Sequence, residues 1–144
     1  MRIPSLDIKR LYYDTLTAEG VLSVPLYDYV PRDANRNYVW FQDVSVQTGT
    51  PESKANRGYS VVVALNVVTY FSGNAGGFNQ AEQIAREISE AIATKPYPQT
   101  EGIQNITCEL DAVNQQTITA KDGMLYVLNV RFRHQIVERE LLEQ

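Results

Sequence analysis

The chain has one cysteine, Cys108, and one histidine, His134, in 144 residues. An intrachain disulfide is therefore excluded, and so is a thiolate or imidazole cluster of the kind that holds zinc. Carboxylates remain, but Asp28, Asp33 and Asp43 lack the ligand-loop spacing of a calcium or magnesium site. No metal or cofactor is expected. Basic residues are also few: 13 Lys and Arg stand against 17 Asp and Glu, a formal net charge of -4. The basic stripe that marks tight phosphate binding is missing. Long apolar runs are missing too. The longest, Tyr59 to Phe71, carries Ser60, Asn66 and Thr69 and is shorter than a bilayer helix. The first residues, Met1-Arg2-Ile3-Pro4-Ser5, show no apolar core of a secretory signal, so synthesis in cytoplasm is the expectation.

What is present suits a folded domain. Hydrophobic residues make up 44% of the chain and charged residues 21%, ordinary globular usage that argues against disorder. A chain this long buries roughly 70% of the surface its unfolded form exposes, enough to hold a core without crosslinks. No internal repeat and no linker interrupts it, so residues 1–144 read as a single domain.

Hydrophobic spacing predicts the elements. Ile8, Leu11, Tyr12 and Leu16 recur at helical intervals, predicting a helix over Pro4–Thr17 that closes at Glu19-Gly20. Val21 to Val30 reads as a short extended segment, interrupted by Pro25 and Pro31. A polar turn, Arg32 to Asn37, leads to a strand over Tyr38–Thr48, and Gly49–Gly58 is a polar connection. Tyr59–Phe71 is a longer strand with apolar residues on both faces, expected to be covered on both sides. These two strands are expected to form a long hairpin.

The glycines Gly73, Gly76 and Gly77 precede a helix whose expected cap is Asn79, with Glu82 completing a capping box. Ala81, Ile84, Ala85, Ile88 and Ile92 give it one apolar stripe, and it ends near Thr94. Three strand candidates follow: Ile103–Asp111, Val113–Ala120 and Met124–Val137. The turn Lys121-Asp122-Gly123 joins the last two. The fold class is α+β: an antiparallel-rich β-sheet with a long β-hairpin, packed by an N-terminal helix and a central helix.

Candidate chemistry is thin. Triad chemistry needs a base beside a nucleophile, and no Ser or Cys signature accompanies His134. Its strand parity puts it with Phe132 and Ile136 on the apolar face, as a packed side chain. Cys108, between Ile106 and Leu110, reads as an inward-facing thiol. Gly73 to Asn79 follows a strand and opens a helix, but has neither a Gly-Lys-Ser/Thr ending nor Gly-x-Gly-x-x-Gly spacing, and reads as a connection rather than a nucleotide site. Arg131 and Arg133 share a strand face with Asn129 and could meet carboxylates or phosphates of a partner. Tyr38 and Trp40, at the start of a strand, are aromatic types enriched in protein contacts.

The order of these pieces resembles the tail-completion or tail-terminator proteins of long-tailed bacteriophages and related neck-ring proteins. The resemblance rests on the N-terminal helix and on Val24-Pro25-Leu26-Tyr27-Asp28-Tyr29-Val30-Pro31. It continues through the strand Tyr38-Val39-Trp40-Phe41, the long strand with its Gly-rich exit, and the helix Asn79–Ala93. The closing strand Leu125 to Arg133 completes it. The resemblance implies one tail-terminator-like domain and a structural role: a homo-oligomeric ring, hexameric or higher, at the head–tail junction of the virion, assembled in the host cytoplasm. It implies contacts with other neck, connector and tail proteins, DNA passing through the lumen without specific binding, no membrane, no cofactor and no catalytic residues. Interface candidates are Tyr38, Trp40, Lys54, Arg57, Arg131 and Arg133, with Lys54 and Arg57 in the hairpin-tip connection.

Two other readings compete. One is a small-molecule or peptide-binding module using a pocket between the sheet and the Asn79 helix. The other is an enzyme using acidic residues in that same cleft, with Asp28 or Asp43 as the residues whose replacement would test it.

Overall fold

Residues 5–32, 36–48, 56–73, 76–94 and 103–139 are described by the computed structural model of the chain. In chain order the elements are α1 (Ser5–Leu16), β1 (Leu26–Tyr27), β2 (Tyr38–Thr48), β3 (Asn56–Ser72), α2 (Asn79–Thr94), β4 (Ile103–Ala120) and β5 (Gly123–Arg139). The strands make one open sheet in the order β1-β2-β3-β5-β4. Only β1 runs parallel to its neighbour; the other pairs are antiparallel. The α+β class read from periodicity is the class observed.

Both helices lie on one face of the sheet. Ile8, Tyr12 and Leu16 of α1 and Ala81, Ile84, Ile88 and Ile92 of α2 are buried in one cluster with alternate residues of the strands. On β3 these are Tyr59, Val61, Val63, Leu65 and Val67; on β5 they are Leu128, Val130, Phe132 and Ile136. The period of 3.6 on the helices and of 2 on the strands thus aim at the same layer.

The opposite face of β3 departs from expectation. Ala64, Asn66 and Val68 are buried, but none of them joins the core formed with the helices. They are small or amide-bearing residues in a central strand. Larger neighbours flank them: Trp40 on β2 pairs with Asn66, and Arg131 on β5 pairs with Ala64. Shielding by adjacent side chains replaces the second covering layer that apolarity on both faces suggested.

Four local corrections follow from hydrogen bonding. The two strand candidates in 103–120 are one strand, bent by irregularities at Asn105/Thr107 and Leu110/Ala112. The segment 21–30 pairs only at Leu26 and Tyr27. Glu82 N donates to Phe78 O at 2.8 Å, which puts Phe78 rather than Asn79 at the cap position of α2. The left-handed Gly20 (φ 80) lies in the turn closed by Val21 N donating to Ala18 O, beyond the end of α1. The two-residue connection Lys121–Asp122 joins β4 to β5 as the sequence suggests, with Ala120 opposite Gly123.

Candidate assembly interface

The sheet is open, and its two borders differ. At one border β1 covers β2 only at Val39 and Trp40. No described strand pairs with the outer side of β2 beyond that point, nor with the outer side of β4 along its 18 residues. Natural proteins blunt such edges with Lys, Pro and bulges. Neither β2 nor β4 contains a Lys, Arg or Pro. Each carries a bulge, on β2 between Phe41 and Asp43 and on β4 between Leu110 and Ala112.

Exposed apolar side chains collect near these borders. Leu110 is 55% exposed, Val113 47% and Ile118 39%, all on β4; Leu6 and Tyr13 on α1 are 65% and 48% exposed. A groove of about 560 Å³ runs along the β2 border, lined by Leu6 and Lys9 of α1, by Asp28 and by residues 40–44 of β2. Lys9 and Asp28 form an ion pair at its side.

The helix-free face of the sheet is polar at its centre. Asn66 Nδ2 donates to Gln42 Oε1 at 3.3 Å, and Asn129 Nδ2 donates to Asn66 Oδ1 at 3.0 Å. Asn129 Nδ2 also donates to Gln42 Oε1. Arg131 Nε donates to Asn129 Oδ1 at 3.0 Å. The bulge matters here, because it turns Gln42 into this face. Across the bulge Gln42 and Asp43 both fall on this face, between Phe41 and Val44 on the apolar side.

The candidates read from the sequence fall in different places. Trp40, Arg131 and Arg133 share this helix-free face: Trp40 pairs with Asn66, and Arg131 with Ala64. Arg131 is half-buried, while Arg133 is exposed and paired with Asp111 at 3.2 Å. Tyr38 opens β2 on the same face, its ring 5.7 Å from that of Tyr27. Burial first, and the neighbouring Tyr27 second, raise its pKa above the ordinary tyrosine value, so the hydroxyl stays neutral. Lys54 lies outside the described residues, and so does the side chain of Arg57, whose backbone pairs with Glu138. Asp28 and Asp43 border the groove; Asp28 is held by Lys9, and Asp43 accepts from Ser45 Oγ at 3.5 Å.

The space between the sheet and α2 is filled. Ala81, Ile84, Ile88 and Ile92 are at most 1% exposed and pack among Leu128 and Val130. The competing reading as a small-molecule or peptide-binding module needs a pocket at that place, and buried side chains of α2 and the sheet pack there instead. His134 sits where its parity put it, fully buried, sharing a hydrogen bond with the Tyr12 hydroxyl and 3.9 Å from Cys108 Sγ. Among the described residues no three His, Cys, Asp or Glu side chains come together as a metal site. No helix among them is long and apolar enough to cross a membrane.

Sequence reasoning missed Gln42, Leu6, Leu110 and Val113. A signal was present: apolar parity slips between Val39/Phe41 and Val44/Val46, and again between Leu110 and Val113. A slip of one residue in a two-residue period is the mark of a bulge.

Comparison with known proteins gives likenesses of two kinds. The family model described as tail completion protein gp17 matches residues 15–136. A chain of a solved structure described as the virion of a native gene transfer agent particle has a TM-score of 0.68, with 18% identity over 88% of this chain and 91% of that chain. At that identity the likeness is one of fold. No curated protein matches the chain.

Proposed function

This chain belongs to the tail completion protein gp17 family and is a structural protein of the phage tail; on that premise we propose that it forms a homo-oligomeric ring at the head–tail junction. The ring joins the tail to the head-side connector and leaves a lumen for DNA. The whole chain acts as one domain of tail-terminator type, without a catalytic step. It associates with other neck and tail proteins in the virion, after assembly in the host cytoplasm.

One observation carries this reading beyond the family. Among the described residues the sheet has two borders left largely unpaired on opposite sides of the subunit, with exposed apolar side chains beside them. A contact between unlike borders is heterologous, and a heterologous contact that closes makes a ring. The net charge of -4 suits a lumen that passes DNA without holding it, since fixed cations would bind phosphates and release counterions. Trp40, Tyr38, Lys54, Arg57, Arg131 and Arg133 are proposed as contacts to neighbouring proteins along the ring.

Native mass spectrometry and electron microscopy of the purified chain test the proposal. Closed assemblies of one copy number are expected. A chain that stays monomeric at the highest soluble concentration would count against the ring, and sub-micromolar binding of duplex DNA at physiological salt would count against the passive lumen.

A further inference from the structure

We infer that β4 of one copy docks against the β1–β2 border of the next, seating Leu110 and Val113 in the groove lined by Leu6, Phe41 and Val44. The inference rests on the ring reading and specifies its contact.

The pairing registers place the two sides at one level. Leu110 is opposite Phe132, Phe132 opposite Val63, and Val63 opposite Val44. Val113 is opposite Val130, Val130 opposite Leu65, and Leu65 opposite Phe41. A line drawn straight across the sheet from Leu110 or Val113 therefore ends at a residue of the groove, whereas Ile118, opposite Leu125 and then Tyr70, lies beyond the paired part of β2. All of these side chains lie on the helix-bearing face, because Val63, Leu65, Val130 and Phe132 do. The bulges match as well: the extra residue of β4 falls between Leu110 and Ala112, and that of β2 between Phe41 and Asp43. The two bulges lie one pair apart, on either side of the Ala64–Arg131 level, so the edges bend at adjacent heights and can run side by side.

Strand direction agrees. β2 runs opposite to β3, β3 opposite to β5, and β5 opposite to β4. Rotation about an axis along the strands keeps each direction, so β4 of one copy meets β2 of the next antiparallel. The sheet then continues from copy to copy in the pairing mode it already uses. A β4–β4 contact would bury Leu110 and Val113 against themselves and leave the groove empty.

Curvature follows from the layering. Helices about 10 Å across sit on one face only, so each copy is wider on that side. Copies joined at their sheet borders curve with the helices outward and the amide face inward. Each copy contributes four long strands, β2 to β5. Five copies already exceed the roughly 16–18 strands at which closed barrels leave an aqueous channel. The charged side chains that pairing assigns to this inward face include Arg131, Arg133, Glu109 and Asp43, both signs together, so the arginines proposed above as protein contacts are offered to a partner that enters the lumen and not to the next copy.

Paired cysteines test the contact in a Cys108→Ser background. Leu110→Cys combined with Val44→Cys should give, on mild oxidation, a ladder of covalent oligomers ending at the ring size; either cysteine alone should leave monomers. Separately, Leu110→Asp and Leu6→Asp should each weaken assembly by about tenfold or more, the scale of losing one interface anchor. Circular dichroism melts of the monomer should be unchanged, because both positions are largely exposed. Covalent dimers from Leu110→Cys alone would show like borders meeting and overturn the inference. Rings that form without the ladder and survive both aspartates would overturn it too, leaving the ring itself standing. Failure of the unmodified chain to assemble at all would remove both.

Discussion

Tyr12 and His134, 122 positions apart in the sequence, share a hydrogen bond at the centre of the core, and both are fully buried. Their rings meet edge to face, with centroids 5.4 Å apart at 82°. The contact ties α1 to β5, and Tyr12 also touches Phe41 of β2 and Phe132 of β5. One residue of the first helix thus joins strands from both halves of the chain.

Stability should fall on mild acidification because of this histidine. Burial lowers the pKa of His134 from 6.5 to about 4. The unfolded chain takes up the proton near pH 6.5, whereas the folded chain takes it only near pH 4. Between those values the unfolded state binds more protons. The stabilising contribution is whole above the unfolded pKa and is lost as pH falls toward the folded one. It amounts to on the order of 3 kcal/mol across that window. Urea unfolding at pH 7 and pH 4.5 should show the loss in the parent, and a smaller loss in His134→Gln.

Removing the Tyr12 hydroxyl separates hydrogen bonding from packing. Tyr12→Phe keeps the ring and removes only the hydrogen bond between the hydroxyl and His134 Nε2. A cost of about 1–2 kcal/mol is expected in chemical denaturation. A change within 0.3 kcal/mol of zero, well below that scale, would mean the bond adds nothing net.

Gly76 should resist substitution on two counts. Its φ is 116, and a Cβ there would lie 2.6 Å from the Phe71 ring and 2.7 Å from that of Tyr126. Phe71, Phe78 and Tyr126 pack edge to face at this spot, so neither ring can withdraw without breaking a contact. Gly76→Ala should lower stability by about 1–3 kcal/mol. Comparing thermal midpoints of the parent and the variant checks this.

Two apolar residues should behave oppositely. Ile88 is fully buried on the sheet-facing side of α2, and Ile88→Ala should cost about 2–5 kcal/mol through lost contacts and a cavity. Tyr29 is 85% exposed, and Tyr29→Ala should stay within about 0.5 kcal/mol of the parent monomer. Denaturant midpoints of the two variants, measured side by side, decide the matter.

Local pattern was a good guide wherever one element contains its own information. The stripe Ala81–Ile84–Ile88–Ile92 predicted both α2 and its buried face. The alternation Tyr59–Val61–Val63–Leu65 predicted β3, and parity alone put His134 inside. The resemblance to tail-completion proteins, read from the order of such elements, agrees with the family match over residues 15–136.

The amino-acid order by itself determined which residues turn inward, because side chains alternate every two residues on a strand and return every 3.6 on a helix. Only the tertiary structure decided which strands are borders. Strand β5 is inserted between β3 and β4, and no spacing along the chain announces that. The same folding puts Leu110 level with Val44 across four strands. Hydrogen bonds between strands far apart in sequence set that level, and a residue cannot carry it alone.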